Sequence, residues 1–78
     1  MRLLPRSPLT YNNRGLAYYH KRDFDRAVAD FTEAIRLDGK FARAYFNRAA
    51  AHTELGNAEL AAADRATALK LDPALGKE

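Results

Sequence analysis

The sequence predicts an all-α fold in which two antiparallel helix hairpins follow one another in tandem. Three observations predict it. First, the chain repeats itself: shifted by 34 residues it lies over itself without a gap, with ten identities in 34 aligned positions. Tyr11 falls on Tyr45, Asn13 on Asn47, Arg14 on Arg48, Ala17 on Ala51, Ala27 on Ala61, Asp30 on Asp64 and Ala34 on Ala68. A fixed period of this size marks stacked supersecondary units rather than one globular core. Second, apolar residues recur at spacings of three and four. Third, no stretch alternates at period two, so no sheet is expected.

Each element has its own signals. Pro5 and Pro8 make residues 1–7 an extended lead-in, because proline fixes φ and cannot donate a hydrogen bond. Ser7-Pro8 opens the first helix, with serine as N-cap and proline in the first turn. That helix is expected to run to about Lys21. Asp23 caps the second helix, in which Phe24, Ala27, Val28, Phe31, Ala34 and Ile35 form the apolar stripe. Arg26, Asp30, Glu33 and Arg36 are read as its wet side. Asp38-Gly39 stops it, with Gly39 as the left-handed cap. A third helix spans about Phe41 to Leu55, and Gly56-Asn57 is the turn. The fourth runs from about Ala58 to Leu71 and carries Leu60, Ala61, Ala68 and Leu69. Asp72-Pro73 ends it, and Ala74 to Glu78 is too short for another helix. Turns of two to four residues force neighbouring helices antiparallel. Gly15, Ala49, Ala27 and Ala61 allow close approach, while Tyr11, Tyr18, Phe24 and Phe31 fill the space beside them.

Composition sets the bounds. The chain has 78 residues, no cysteine and a net charge of +3. A domain this small buries roughly 60–65% of its unfolded surface, so modest stability is expected. Without cysteine there is no disulfide or thiolate–zinc site to compensate. No apolar run approaches the ~20 residues a bilayer needs, and the first five residues are too short for a signal peptide. Cytoplasmic localisation is the default expectation.

The spaced residues resemble the tetratricopeptide repeat (TPR) family. Tyr11, Gly15, Tyr18, Ala27, Phe31 and Ala34 occupy signature places in a first repeat over residues 8–41. Tyr45, Ala49, Ala61, Ala68 and Pro73 do so in a second over residues 42–75, so residues 8–75 are expected to form a single domain with a short tail at 76–78. Departures stand out. Arg14 and Arg48 replace a preferred leucine, and their stems are expected to cover apolar surface while the guanidinium reaches water. Gly39 replaces a closing proline. Arg65 and Ala58 stand where the first repeat has Phe31 and Phe24. The resemblance implies a TPR-type α-solenoid, a right-handed superhelical stack.

It also implies a protein–protein interaction module that holds a peptide or partner protein on the concave face made by the first helix of each pair. By resemblance the residues facing that groove include Asn12, Asn13, Leu16 and Tyr19 from the first repeat, with Leu9 and His20. Arg43, Phe46, Asn47 and Ala50, with Thr53, face it from the second. An asparagine amide carries both donor and acceptor and so suits a peptide backbone. Asn13 and Asn47, one repeat apart, are expected to form a ladder. The competing reading is that these asparagines order water or brace helices. Arg43 offers a fork for a carboxylate. Some relatives capture a chaperone's C-terminal carboxylate with lysine, arginine and asparagine spread over three repeats. Asn47 matches one part of that clamp, but Asn12 and Leu16 stand where a lysine and an asparagine are needed, so this activity is not expected.

Other chemistries are disfavoured. His20 and His52 occupy different places in their repeats, and a zinc site needs three or four converging ligands. No nucleophile–base set or glycine-rich phosphate loop is present. No enzyme activity and no cofactor are therefore expected. Asp30, Glu33 and Asp64 are read as solvated charge. Nucleic-acid binding needs a basic stripe, yet Arg26 and Arg36 share their helix with Asp23, Asp25, Asp30 and Glu33. Finally, repeat units bury their faces against neighbours and usually number three or more. With two, the chain is a piece of a longer array, a self-associating unit, or a marginal monomer. A homodimer at high concentration is expected. The alternative to groove binding is thus a structural or oligomerisation module that uses its uncapped repeat ends.

Overall fold

The computed structural model describes residues 7–77. The expected extended lead-in lies outside the described residues except for Ser7. Four α-helices follow one another: α1 (Pro8–His20), α2 (Phe24–Leu37), α3 (Ala42–Glu54) and α4 (Ala58–Leu71). No strand occurs among the described residues. α1 and α2 form one hairpin, α3 and α4 the other, and α3 joins them by packing on α2 and, more lightly, beside α1. The result is a solenoid-type stack of two antiparallel helix hairpins.

The caps follow side-chain chemistry at the first hairpin and backbone geometry at the second. The Ser7 hydroxyl accepts from the Thr10 N–H at 3.1 Å, and Pro8 fills the first helical position, where its missing N–H costs nothing. Asp23 accepts from the Arg26 N–H at 3.3 Å. Phe41 and Asn57 stand at the N-caps of α3 and α4 without a side-chain bond.

Two expectations about chain ends are corrected. Gly39 does not supply a left-handed cap. The left-handed positions are Arg22 (φ 66°) and Gly56 (φ 83°), the same place in the tight turn inside each hairpin. At the end of each hairpin the chain leaves α2 and α4 through an extended aspartate instead, Asp38 and Asp72, whose N–H groups donate to the Ala34 and Ala68 carbonyls. The segment after Pro73 is not bare: Pro73–Lys77 forms a 3-10 helix that packs on α4 and buries Leu75.

The core is built from small residues around one large ring. Phe31 is fully buried, with Ala27 and Ala51 against it and Leu16, Tyr19 and Val28 around them. Gly15 makes this possible. A methyl group at Gly15 would stand 2.6 Å from the Phe31 ring. In the second repeat the pair reads Ala49 and Arg65: where the ring is gone, the methyl is admitted.

The aspartates read as solvated are the main correction. Asp30 is 5% exposed and Asp64 7%. Each receives two bonds from an arginine sixteen residues earlier. Arg14 Nε donates to Asp30 Oδ2 at 2.7 Å and its Nη2 to Oδ1 at 2.9 Å. Arg48 Nε and Nη2 make the same fork to Asp64 at 2.7 and 2.8 Å. The guanidinium groups do not simply reach for water; they close over a buried carboxylate. Arg14 also lies over the rings of Tyr11 and Tyr18, and Arg48 over Tyr45. The hydrogen bond to Asp30, and then its charge, pushes the Arg14 pKa up; the bond to Asp64 does the same for Arg48 against the cost of burial. Both therefore stay charged at any working pH.

Four stability outcomes follow. Gly15→Ala is expected to cost about 2 kcal/mol, because the Phe31 ring has nowhere to retreat. Gly56→Ala, whose methyl would meet nothing within 4 Å, is expected to cost about 1 kcal/mol through backbone conformation alone. Arg48→Met strips Asp64 of both bonds and is expected to cost about 2 kcal/mol; Arg14→Met should cost less, since the Arg14 side chain is 55% exposed against 20% for Arg48. Urea unfolding followed by circular dichroism measures all four.

Candidate interaction groove

The first helices of the two hairpins, α1 and α3, stand side by side and carry every residue the sequence nominated for binding. Their placement is uneven. Asn12 is buried, 2% exposed, and its Oδ1 accepts from the Asn47 Nδ2 at 3.0 Å. This bond spans the two repeats and ties α1 to α3. Asn13, one repeat before Asn47, is exposed. The structure thus brings together Asn12 and Asn47, while Asn13 stands in solvent beside them.

Chemistry explains why Asn12 tolerates burial. An amide carbonyl hidden from water needs a donor, and Asn47 supplies it. Asn47 itself is half-buried. One of its two N–H groups is used by Asn12, and the amide retains a second donor and its oxygen.

The apolar nominees also divide. Leu16 and Tyr19 pack against the Phe31 cluster, and Tyr19 meets Phe24 edge to face at 5.3 Å between ring centres. They support the core from the groove side. Phe46 is half-buried, with the Arg65 guanidinium 5.6 Å above its ring. Ala50 is half-buried next to it, and Arg43 is exposed. Of the further residues assigned to this face, Leu9 is 60% exposed and His20 lies edge-on to Tyr19.

Sequence reasoning missed a cluster behind the groove. His52 on α3 points to Asp64, Nε2 lying 3.8 Å from Oδ2, and its Nδ1 is buried without a hydrogen bond. Arg48 binds the same carboxylate and sends its Nη1 to the Thr32 hydroxyl of the first repeat at 3.1 Å. The signal was available: Arg and Asp recur sixteen residues apart in both repeats. Besides the two forks, Arg26 pairs with Asp23 and Arg36 with Glu33, so the arginines weighed for a basic stripe are engaged with carboxylates. Among the described residues no group of three metal-ligating side chains converges, and no helix is long and apolar enough to cross a membrane.

Comparison with known proteins agrees with this architecture. The tetratricopeptide repeat family matches residues 8–41 and again residues 42–75. The chain is 38% identical over 71 residues to serine/threonine-protein phosphatase 5 of Homo sapiens, covering 91% of this chain and 14% of that protein. It is 34% identical over 64 residues to Hsp70-Hsp90 organizing protein 1 of Glycine max, covering 82% of this chain and 11% of that protein. It is 42% identical over 55 residues to the SGT1 homolog of Oryza sativa subsp. japonica, covering 70% and 15%. The chain therefore spans less than a sixth of the length of each of these relatives, and the similarity to the phosphatase falls in its repeat region. These repeats are non-catalytic modules of protein–protein interaction. Two stacked hairpins, the 34-residue period and both matches together make this chain a member of the tetratricopeptide repeat family.

Proposed function

We propose that the chain binds an extended segment of a partner protein along the face formed by α1 and α3. The Asn47–Asn12 bond is the observation that carries this reading. It holds Asn47 in a fixed orientation, so its remaining donor and acceptor are presented to a peptide backbone without further ordering cost. Asn13 stands exposed alongside. Phe46 adds flat apolar area, and Arg43 adds positive charge for an acidic group. Asn12, Leu16 and Tyr19 act from beneath, as the supports that set the shape of this face, and Ala50 leaves room beside Phe46. The names of the relatives point the same way, since the Hsp70-Hsp90 organizing protein is named for two proteins that it organises. Asn12 and Leu16 in place of the clamp's lysine and asparagine argue for a ligand other than a chaperone's terminal carboxylate.

A second reading, contact through an open repeat end, is favoured by a hollow of about 330 Å³ between α3 and α4. It includes the homodimer expected from two repeats.

The triple substitution Asn13→Ala, Phe46→Ala, Asn47→Ala separates the two. Under the groove reading, partner capture by the immobilised chain falls about 30-fold or more, the sum of two hydrogen bonds and an aromatic contact. Sedimentation of the variant is then unchanged. Capture at undiminished strength by a variant of native helicity rejects the groove reading.

A further inference from the structure

The turns that follow α2 and α4 are built alike except at one atom. Asp38 and Asp72 share an extended backbone, φ −145° and ψ 93° against φ −147° and ψ 90°. Each N–H donates to the carbonyl four residues back, at 2.9 Å to Ala34 and 2.8 Å to Ala68. Each main-chain carbonyl accepts from the N–H three residues on, Phe41 and Leu75, at 3.1 Å. Each carboxylate accepts from the N–H two residues on, Lys40 and Ala74, at 3.1 Å. Both aspartates and the residues directly after them are exposed. The difference is the next nitrogen. Pro73 carries no N–H. Gly39 carries one, and it makes no hydrogen bond among the described residues.

Nothing in the packing asks for glycine at position 39. A methyl group there would meet nothing closer than the Ile35 carbonyl oxygen at 3.9 Å, and its φ is not in the left-handed region. What the glycine does provide is an unshielded nitrogen next to a held carboxyl group. The bond from the Lys40 N–H to Asp38 Oδ1 closes a loop that contains both the Gly39 nitrogen and Asp38 Cγ. It folds the side chain over the Asp38–Gly39 peptide and draws electron density from Cγ. A reaction between groups held in this way needs little further ordering. Asp25, Asp30, Asp64, Asn12, Asn13 and Asn47 lie within helices, where the following N–H is already bonded. Asp23 and Asn57 precede Phe24 and Ala58, whose Cβ crowds the nitrogen.

We propose that Asp38-Gly39 is a site of spontaneous covalent modification in the folded chain, at which the aspartate converts to isoaspartate through a cyclic imide. The Gly39 nitrogen attacks Cγ of the protonated carboxyl group. The N–Cγ bond forms, and the N–H proton leaves with the carboxyl OH as water. Water then adds back to the imide. Opening at Cγ restores aspartate. Opening at the main-chain carbonyl leaves the chain running through Cβ, one methylene longer, with the carboxylate on the Cα side. Nothing is oxidised or reduced. The added methylene falls in the link between α2 and α3, the two helices that Arg48 and Thr32 hold together. The inference does not depend on what the α1–α3 face binds.

The probe is heavy-oxygen water. The folded chain is kept in it at neutral pH for several weeks and digested, and the peptides holding Asp38 and Asp72 are compared by mass spectrometry. Each ring opening installs one heavy oxygen at the residue. Label is expected at Asp38, with isoaspartate there identified by fragmentation, and none at Asp72. Gly39→Pro is expected to lose the label completely while the helical circular dichroism signal is kept, since Asp72-Pro73 shows that this backbone accepts a following proline. The reverse change, Pro73→Gly, is expected to bring label to Asp72. Absence of label at Asp38 overturns the inference. Equal label at Asp72 in the unaltered chain, or label that survives Gly39→Pro, also overturns it, because the exchange then does not use the Gly39 nitrogen. Label that appears at Asp38 only in urea assigns the reaction to the unfolded chain and overturns it as well.

Discussion

The buried carboxylate closed by an arginine fork is the interaction on which this small stack depends. Asp30 and Asp64 sit on the second helix of each hairpin, and Arg14 and Arg48 on the first, so each pair staples a hairpin across its own interface. A lone aspartate at that depth would be costly. Two parallel N–H donors of fixed geometry remove most of the cost and specify how the helices meet. Arg48 does more than Arg14. Its remaining nitrogen bonds Thr32 across the junction between repeats, so a contact inside the second hairpin also fixes that hairpin on the first. A hydrophobic pair could supply similar stability, but it would not select one orientation in the same way.

Around this fork the two repeats use opposite packing. The first brings a glycine to an aromatic ring, Gly15 to Phe31; the second brings an alanine, Ala49, and puts Arg65 where the ring would be. The first repeat is therefore filled, and it receives α3. The second is filled only at its far end, where Leu75 of the terminal 3-10 helix is buried. The fully buried ring, Phe31, lies in the first hairpin, and α4 itself buries only Ala61, Asp64 and Ala68. The larger part of the packing among the described residues thus lies in the first hairpin and where α3 meets it.

Much of this was legible in the sequence, and the failures have one cause. The period of 34 exposed both hairpins, and Ser7, Asp23 and Gly56 marked their turns. Periodicity places a residue on a helix face but does not say what that face meets. Asp30 and Asp64 fall beside the apolar stripe and look like solvated charge; only the neighbouring helix turns them into buried partners of Arg14 and Arg48. The repeat sets Asn13 with Asn47, yet it is Asn12 that meets Asn47, because that choice depends on the rotation of α1 against α3. Arg22 shows the converse. Its left-handed backbone is imposed by a turn that the second repeat builds with glycine, and no property of arginine announces it.

That rotation also bears on how one set of positions serves two purposes. Asn12 and Phe46 are equivalent by repeat, yet one is a buried acceptor and the other a half-buried ring. Asn12 must accept because the next repeat supplies Asn47. Phe46 carries a ring instead, over which Arg65 lies. An internal junction selects a polar lock, since the lock fixes the angle between hairpins. The ring and the guanidinium at the second position make a less directional contact. The same logic applies to Thr32, which accepts from Arg48, and its counterpart Ala66, which has nothing to accept. Where the repeats agree, the sequence preserves the hairpin. Where they differ, as at Asn12 and Phe46 or Thr32 and Ala66, it fits each hairpin to its own neighbours.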